Sequence, residues 1–244
     1  MKQPSEFYTR FCTPKKKFAP LIDPDKFTES GIREIAKLSQ EAGVDFIFYG
    51  GSLLTEDNHR RFIDVLKENC SVPVILFPGS QFQLKNNADA ILLLSLISGR
   101  NPEMLIGKHV EAAPYLKASQ FEIIPTGYVL VESGKPTAVS YMSHTTPIPA
   151  DKNDIAVCTA MAGEMLGLKL IYMDAGSGAS NRISPTMITK VKASVSIPLI
   201  VGGGIRNPQQ AKEISQAGAD IVVVGNAIED DPSLIIKIAE AIYR

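Results

Sequence analysis

An acidic residue follows a short apolar run in the segment IYMDAGSGA, residues 171–179. Asp174 ends the run, and the small residues Ala175, Gly176, Ser177 and Gly178 come directly after it. Tyr172 lies two positions earlier, so in a strand its side chain and that of Asp174 would point to the same face. A carboxylate can bind a hydroxyl group or take its proton, and bare backbone can approach an anion closely. The segment predicts a site for a small polyol that carries a phosphate; a helix cap is the alternative role of Asp174.

Two glycine-rich segments near the C-terminus indicate the phosphate end of this site. VGGGIR, residues 201–206, contains Gly203 and Gly204, and VGNAI, residues 224–228, contains Gly225 and Asn226. Each segment ends an apolar run and precedes a predicted helix, whose N-terminus favours an anion. The pair therefore predicts a phosphate site, and tight turns without a ligand are the alternative.

A carboxylate and a hydroxyl group occupy comparable positions near the N-terminus. Asp23 follows the apolar run FAPLI, and Ser52 follows DFIFYGG. The two are a sparse ligand set, but Mg²⁺ tolerates such a set because it keeps bound water and takes further oxygens from substrate phosphates. The residues predict a Mg²⁺ site for a diphosphate, with a simple loop cap at Asp23 as the alternative.

These residues require a scaffold that brings strand ends together. Eight short apolar runs alternate with amphipathic stretches along residues 18–243, and each run is bounded by Gly, Pro, Asn or Asp. Runs of this kind are typical of strands buried on both faces, and their alternation with helices predicts a parallel sheet. Eight strands in 244 residues favour a single (β/α)₈ TIM-barrel domain over residues 1–244. A doubly wound sheet would usually carry an early glycine fingerprint, which the chain lacks.

Two connections depart from the regular pattern. Residues 80–87 are too few for an ordinary crossover helix, so we expect the third helix to be stunted or missing. The neighbouring apolar segments 72–79 and 88–96 could then form an open groove for a hydrocarbon tail. Residues 132–153 are long, polar and proline-bearing, and predict a loop over the barrel mouth, a candidate lid.

Composition excludes several classes of protein. The net charge of −1 gives no support for a nucleic-acid partner, and no apolar run is long enough to be a transmembrane segment. The N-terminus lacks a secretory signal, and the scattered Cys12, Cys70 and Cys158 predict free thiols, so we expect a cytoplasmic protein. His59 and His109 lack metal-ligand spacing, as does His144, which falls in the candidate lid.

The strand ends together resemble the geranylgeranylglyceryl phosphate synthase (PcrB-like) family over essentially the whole chain. The resemblance is carried by LIDPDK (21–26), YGGS (49–52), FPGS (77–80), LISGRNPEMLIGKHVEAA (96–113), IPTGYVLVESG (124–134), YMDAGSGA (172–179), VGGGIR (201–206) and VGNAIE (224–229). It implies a Mg²⁺-dependent prenyltransferase that joins a long-chain prenyl diphosphate to the 3-hydroxyl of sn-glycerol 1-phosphate, giving an ether lipid precursor for membrane lipid synthesis.

The resemblance also implies residue roles. Asp23 and Ser52 are similar to the Mg²⁺ ligands of the family, and Asp23, Tyr172 and Asp174 would be the catalytic residues. The glycerol-phosphate site would comprise Tyr172, Met173, Asp174, Ala175, Gly176, Ser177, Gly178, Gly203, Gly204, Gly225 and Asn226. The family often has Glu where this chain has Asp174, which moves the charge back by one methylene.

The segment SLISGRNP and the extended N-terminus resemble the branch with larger members, which mostly uses the geranylgeranyl donor. The family implies a homo-oligomer, a dimer or a larger ring such as a hexamer. Two other functions remain open from the residues: another phosphosugar enzyme on this fold, an isomerase or lyase that uses Lys17 or Lys26, and a non-catalytic phosphate-binding or lipid-carrier protein.

Overall fold

The computed structural model describes residues 6–55, 59–80, 83–84 and 87–244. Eight parallel strands close into a barrel in sequence order. They are β1 (Lys17–Ile22), β2 (Ile47–Tyr49), β3 (Val74–Leu76), β4 (Ala90–Leu96), β5 (Glu122–Leu130), β6 (Leu170–Asp174), β7 (Leu199–Gly202) and β8 (Ile221–Val224). The α-helices are α1 (Glu6–Cys12), α2 (Glu29–Ala42), α3 (His59–Asn69), α4 (Lys108–Ala118), α5 (Ala138–Ser143), α6 (Asn153–Met165), α7 (Pro185–Ser194), α8 (Pro208–Gln216), α9 (Asn226–Asp230) and α10 (Leu234–Tyr243). The predicted (β/α)₈ fold is confirmed.

The strands are apolar on both faces because the barrel has two separate apolar layers. Alternate residues point inward, where Phe48, Tyr128 and Tyr172 belong to one buried cluster. The residues between them point outward and pack against the surrounding helices, as Ile171 and Met173 do. A residue's position in the strand alternation therefore decides whether its side chain can reach the barrel interior.

The N-terminal helix α1 closes the bottom of the barrel. The ring of Phe11 is fully buried and stacks on Phe46, with 4.2 Å between the ring centroids. The Glu122 carboxylate accepts hydrogen bonds from the N–H groups of Phe7 and Tyr8, at 2.9 and 2.8 Å. The mouth at the carboxyl ends of the strands is the opposite end of the barrel.

No α-helix follows β3 in the part of residues 77–89 that the structure describes, which excludes positions 81, 82, 85 and 86. The described residues contain only the single 3₁₀ position Gln83. The other strands are each followed by at least one helix, so the prediction of a missing third helix is confirmed for the described residues. The side of β3 and β4 is consequently left open.

The segment 132–153 after β5 differs from the predicted loop because it contains helix α5. Ser140 Oγ accepts a hydrogen bond from Thr137 N at 3.0 Å and so satisfies a donor that the first helical turn leaves without a partner. Asn101 Nδ2 donates to Ser143 O at 2.7 Å and ties the end of α5 to the connection after β4. The segment forms a wall beside the mouth, and its closure as a lid stays a prediction.

The three cysteines are free thiols, as predicted. Within the described ranges, every helix falls short of the length and apolar character needed to cross a bilayer.

Candidate active site

Asp174 ends β6 and is buried at the base of the barrel mouth, with 7% of its surface exposed. Tyr128 Oη donates a hydrogen bond to Asp174 Oδ2 at 2.5 Å, and Gly176 N donates one to Oδ1 at 2.7 Å. Burial raises the pKa of the Asp174 carboxyl group because the charged form loses hydration, and the two hydrogen bonds act in the opposite direction. A buried carboxylate with a raised pKa is a suitable acceptor for a hydroxyl proton.

Asp174 does not cap the following helix, which was the alternative role. Helix α7 is capped instead by Ser184, whose Oγ accepts a hydrogen bond from Met187 N at 3.2 Å. The hydrogen bond from Gly176 N to Asp174 Oδ1 stabilises the tight turn at Gly176, which is part of the same mouth.

Tyr172 lies two residues below Asp174 on the same inward face. Its ring is 1% exposed and packs against Phe77 and Tyr128, with ring centroids 5.0 and 5.6 Å away. Burial, followed by the nearby charge of Asp174, raises the pKa of Tyr172 well above its ordinary value. The hydroxyl group therefore keeps its proton, and Tyr172 can donate a hydrogen bond but cannot act as the base.

The glycines after β7 allow the chain to turn sharply against β6. Gly203 has φ +82°, and a Cβ placed on it would lie 2.6 Å from Asp174 Oδ1 and 2.7 Å from Ala175 N. Only glycine combines this backbone angle with so close an approach. The two strand ends are thereby brought together around Asp174.

The backbone donors of the mouth fall into two groups. The N–H groups of Gly176 and Gly178 already donate to Asp174 Oδ1 and Asn226 Oδ1, at 2.7 and 2.8 Å. Gly203 N and Gly204 N have no acceptor among the described residues. These two N–H groups on the β7 side are therefore available to an anion, and the N–H groups of Gly176 and Gly178 serve to shape the β6 turn.

Asn226, beside Gly225 at the end of β8, connects two neighbouring loops through its side chain. Its Oδ1 atom accepts from Gly178 N and from Ser177 Oγ, at 2.8 and 3.3 Å, and its Nδ2 atom donates to Glu229 Oε2 at 3.0 Å. The side-chain amide of Asn226, which was predicted to bind the ligand, is therefore already hydrogen-bonded to other residues of the protein. Asn226 orders the rim of the mouth.

The predicted metal ligands lie on the neighbouring side of the mouth. Asp23 is half-buried, and its Oδ1 atom accepts from Asp25 N at 3.1 Å. A Cβ placed on Gly51 would lie 3.1 Å from Asp23 Oδ2, so the loop that carries Ser52 packs against this carboxylate. Burial raises the pKa of Glu229, and the nearby negative charge of Asp23 raises it further.

Asp23 and Ser52 fit Mg²⁺ better than a metal that requires three or more protein ligands. Within the described ranges, no three residues of His, Cys, Asp or Glu are grouped as a metal cluster would require. The set of one carboxylate and one hydroxyl suits a cation that retains water and shares substrate phosphate oxygens. Asp23 and Ser52 could hold Mg²⁺ in that way, and Asp23 also caps the short 3₁₀ turn at Pro24–Lys26.

An apolar cavity of about 510 Å³ extends from the mouth along β3 and β4, beside the connection whose described residues contain no α-helix. Its lining is dominated by Leu, Ile and Met side chains and includes Phe77, Ala112, Leu116 and Val139. Tyr128 forms part of the wall at the inner end. A volume of this size accommodates an organic ligand, and the lining suits a hydrocarbon.

Several positions have roles that differ from the simplest expectation. Met173 is fully buried in the outer layer, so its side chain does not face the mouth. Lys17 lies at the opposite end of β1, where its Nζ donates to Thr13 O and Lys15 O. His144 is exposed at the end of α5, whereas His109 lines the apolar cavity and contacts Ser95 Oγ at 3.2 Å.

Tyr128 is the main residue that the motif analysis did not assign to the site. It belongs to IPTGYVLVESG, and it pairs in register with Tyr172 across β5 and β6. A tyrosine on the inward face of a predicted strand is a signal that could have indicated a polar function, but its partner cannot be identified from the sequence of β5 alone.

Comparison with known proteins places this site in a family. The PcrB family profile matches residues 12–242. The chain is 54% identical over 239 residues to geranylgeranylglyceryl phosphate synthase of Chitinophaga pinensis, covering 98% of this chain and 95% of the relative. It is 40% identical over 220 residues to the enzyme of the same name from Methanosphaera stadtmanae, covering 90% of each chain.

Solved structures agree with the sequence relatives. The chain superposes with a TM-score of 0.92, at 33% identity and 99% coverage of both chains, on (S)-3-O-geranylgeranylglyceryl phosphate synthase from Thermoplasma acidophilum in complex with substrate sn-glycerol-1-phosphate. Tryptophan synthase from M. tuberculosis, with a TM-score of 0.62 and 14% identity, shares the fold alone. The family match and the close relatives together show that this chain belongs to the PcrB family of geranylgeranylglyceryl phosphate synthase-type enzymes.

Proposed function

We propose that the protein transfers a geranylgeranyl group from its diphosphate to the 3-hydroxyl of sn-glycerol 1-phosphate. The observation that carries the proposal is the junction of two unlike subsites. An apolar cavity of about 510 Å³ meets, at Tyr128, a mouth that contains a buried acid and bare backbone donors. A hydrocarbon diphosphate and a phosphorylated polyol are the two substrates that such a pair of subsites would hold side by side.

The acceptor is oriented by residues from neighbouring strand ends. Gly203 N and Gly204 N are suited to bind the phosphate. The N-termini of helices α8 and α9 carry partial positive charge, which favours the negative charge of the phosphate. Tyr172 can donate a hydrogen bond to a glycerol hydroxyl, and Asp174 can accept one from the 3-hydroxyl. Most of the rate acceleration then comes from holding the attacking oxygen near the allylic carbon.

The reaction breaks the bond between the allylic carbon and the diphosphate oxygen, and it forms an ether bond to the glycerol oxygen. Asp174 takes the proton that the hydroxyl group loses, and the electron pair of the broken bond leaves with the diphosphate. Mg²⁺ held by Asp23 and Ser52 would supply charge neutralisation for that leaving group. The apolar wall around Phe77 keeps water away from the allylic carbon. Water there would otherwise attack in place of the glycerol hydroxyl and hydrolyse the prenyl diphosphate.

We further propose that the reaction depends on Mg²⁺, that the donor is geranylgeranyl diphosphate, and that the protein assembles into a dimer or hexamer in the cytoplasm. Lys17 gives no support to the alternative of a phosphosugar isomerase or lyase, because its ammonium group is bound to backbone carbonyls at the bottom of the barrel. A non-catalytic carrier would have no need of a buried acid beside the anion site.

A labelled transfer assay tests the proposal directly. The purified protein is incubated with labelled geranylgeranyl diphosphate, sn-glycerol 1-phosphate and Mg²⁺, and the lipid product is identified by mass. We expect the ether product, none with chelator, and far less with the enantiomer sn-glycerol 3-phosphate. Absence of product with all three components present would contradict the enzyme, and equal product with chelator would contradict the role of Mg²⁺.

A further inference from the structure

Tyr128 stands between the two subsites and contacts both. It lies on β5, 46 residues before Asp174 in the sequence, and is 5% exposed. One side of its ring forms the inner wall of the apolar cavity, while its hydroxyl donates to Asp174 Oδ2 at 2.5 Å. The ring and the hydroxyl therefore face different substrates and can be altered separately.

We propose that Tyr128 is a positioning residue that fixes the Asp174 carboxylate toward the acceptor hydroxyl; the inference rests on the proposed function. The terminal torsion of an aspartate is broad, so one hydrogen bond leaves the carboxylate plane free to rotate. Gly176 N holds Oδ1 and Tyr128 Oη holds Oδ2, and the two donors come from different elements. Together they define a single carboxylate orientation.

Tyr128 is the ionisable side chain that contacts the Asp174 carboxylate. The titratable group that influences the Asp174 carboxyl group is Tyr128 from β5, and the charge of Asp174 in turn raises the pKa of Tyr172 on its own strand. The neighbouring strand β7 presents the backbone of Gly202 and Gly203, which carries no charge. Burial and the neighbouring carboxylate raise the pKa of Tyr128 well above its ordinary value, so the hydroxyl stays a donor over the whole working pH range.

The backbone of Gly203 packs closely against Asp174. A Cβ placed on Gly203 would lie 2.6 Å from Asp174 Oδ1, so the carboxylate has little space to move on that side. A carboxylate fixed by Tyr128 can still direct its remaining lone pairs at a hydroxyl in the mouth. Without Tyr128, the buried carboxylate would lose a stabilising bond and would favour the protonated, inactive form.

The test compares Tyr128→Phe with a matched variant on the same strand. Thr126→Val is the control, because Thr126 Oγ1 is also buried and inward on β5, but it donates to Ile124 O at 2.9 Å instead of to Asp174. We measure affinity for sn-glycerol 1-phosphate by calorimetry without donor, then kcat/KM against pH. For Tyr128→Phe we expect about tenfold weaker affinity, the scale of one hydrogen bond to a charged group. We also expect an acidic limb shifted to higher pH and an unchanged KM for the prenyl diphosphate.

A double-mutant cycle separates positioning from simple packing. If Tyr128 acts through Asp174, Tyr128→Phe will change the calorimetric affinity by less than about twofold in an Asp174→Asn background. A full effect in that background, or equal effects of Tyr128→Phe and Thr126→Val, overturns the inference. If the wild type binds sn-glycerol 1-phosphate but forms no ether, the proposed reaction fails while the cycle still decides the role of Tyr128. If it does not bind the ligand, both are overturned.

Discussion

Asn226 Oδ1 accepts a hydrogen bond from Gly178 N at 2.8 Å, across 48 residues of sequence. The bond joins the loop after β8 to the loop after β6, and it defines the rim over the anion site. Replacing Asn226 by Ala removes the acceptor, so we expect KM for sn-glycerol 1-phosphate to rise about tenfold, with a smaller fall in kcat. Asn69→Ala, on α3, is the control and should change neither value. Steady-state kinetics at saturating donor provide the measurement, and an unchanged KM would remove Asn226 from the rim.

Gly203 tolerates no side chain for a local reason. Gly203→Ala would place a methyl group 2.6 Å from Asp174 Oδ1 at a φ of +82°. We expect binding of sn-glycerol 1-phosphate to weaken by about tenfold or more, because the displaced Gly203 N–H would lose its hydrogen bond to the charged phosphate. The strained backbone should also lower the free energy of unfolding by about 1–3 kcal/mol.

Gly43→Ala is the matched control for Gly203→Ala. Gly43 also has a positive φ, +62°, but no atom lies within 4 Å of the added methyl position. It should lose about 1 kcal/mol of stability and keep full affinity. Thermal unfolding and calorimetry on both variants distinguish strain from the clash, and equal loss of affinity in both would argue against a special role of Gly203.

Asp174 couples activity to stability. Because its pKa is raised in the folded state, its contribution to stability is complete below the unfolded pKa and is lost as pH rises through the folded pKa. Asp174→Asn should therefore unfold at a higher temperature than the wild type near neutral pH, with the difference shrinking at about pH 4. The same variant should lose about 10²–10⁴-fold in kcat if Asp174 is the base. An Asp174→Asn variant that keeps full kcat, and whose difference in unfolding temperature from the wild type stays the same at every pH, would contradict both assignments.

Asp23 is expected to serve the donor and not the acceptor. Asp23→Asn should lose more than about a hundredfold in kcat at every Mg²⁺ concentration, because the leaving group is no longer neutralised. Calorimetry should still detect sn-glycerol 1-phosphate binding with wild-type affinity. Ser52→Ala would remove the proposed neutral ligand, so we expect this variant to need more Mg²⁺ but to recover its turnover at high Mg²⁺ concentration. Full turnover of Asp23→Asn without a changed Mg²⁺ requirement would refute the metal assignment.

The depth of the cavity should set the donor length. Ala112 is 7% exposed and lines the cavity wall on α4, so Ala112→Phe would reduce the space available to the hydrocarbon tail. We expect kcat/KM to shift from geranylgeranyl to farnesyl diphosphate, measured by competition between farnesyl, geranylgeranyl and heptaprenyl donors. Val110→Phe is the control, because Val110 lies on the same helix with 66% exposure. Identical preferences in the two variants would show that the tail binds elsewhere.

The alternation of short apolar runs with amphipathic segments was enough to predict the barrel, because strands buried on both faces and short crossovers allow few other arrangements. The missing third helix followed in the same way from the length of residues 80–87. Gly203 and Asp174 could be assigned to one mouth from sequence, since parallel strand ends meet at one end of a barrel.

Which side chains touch was decided only in three dimensions. The bond between Tyr128 and Asp174 joins residues 46 positions apart, and neither segment alone indicates the other. The side-chain role of Asn226 and the engaged N–H of Gly178 depend on the closed barrel, which brings the loops after β6 and β8 within hydrogen-bond distance across β7. Sequence periodicity fixes the face of a strand on which a residue lies, but barrel closure and strand register determine the atoms it meets, because these set distances across strands that are remote in the chain.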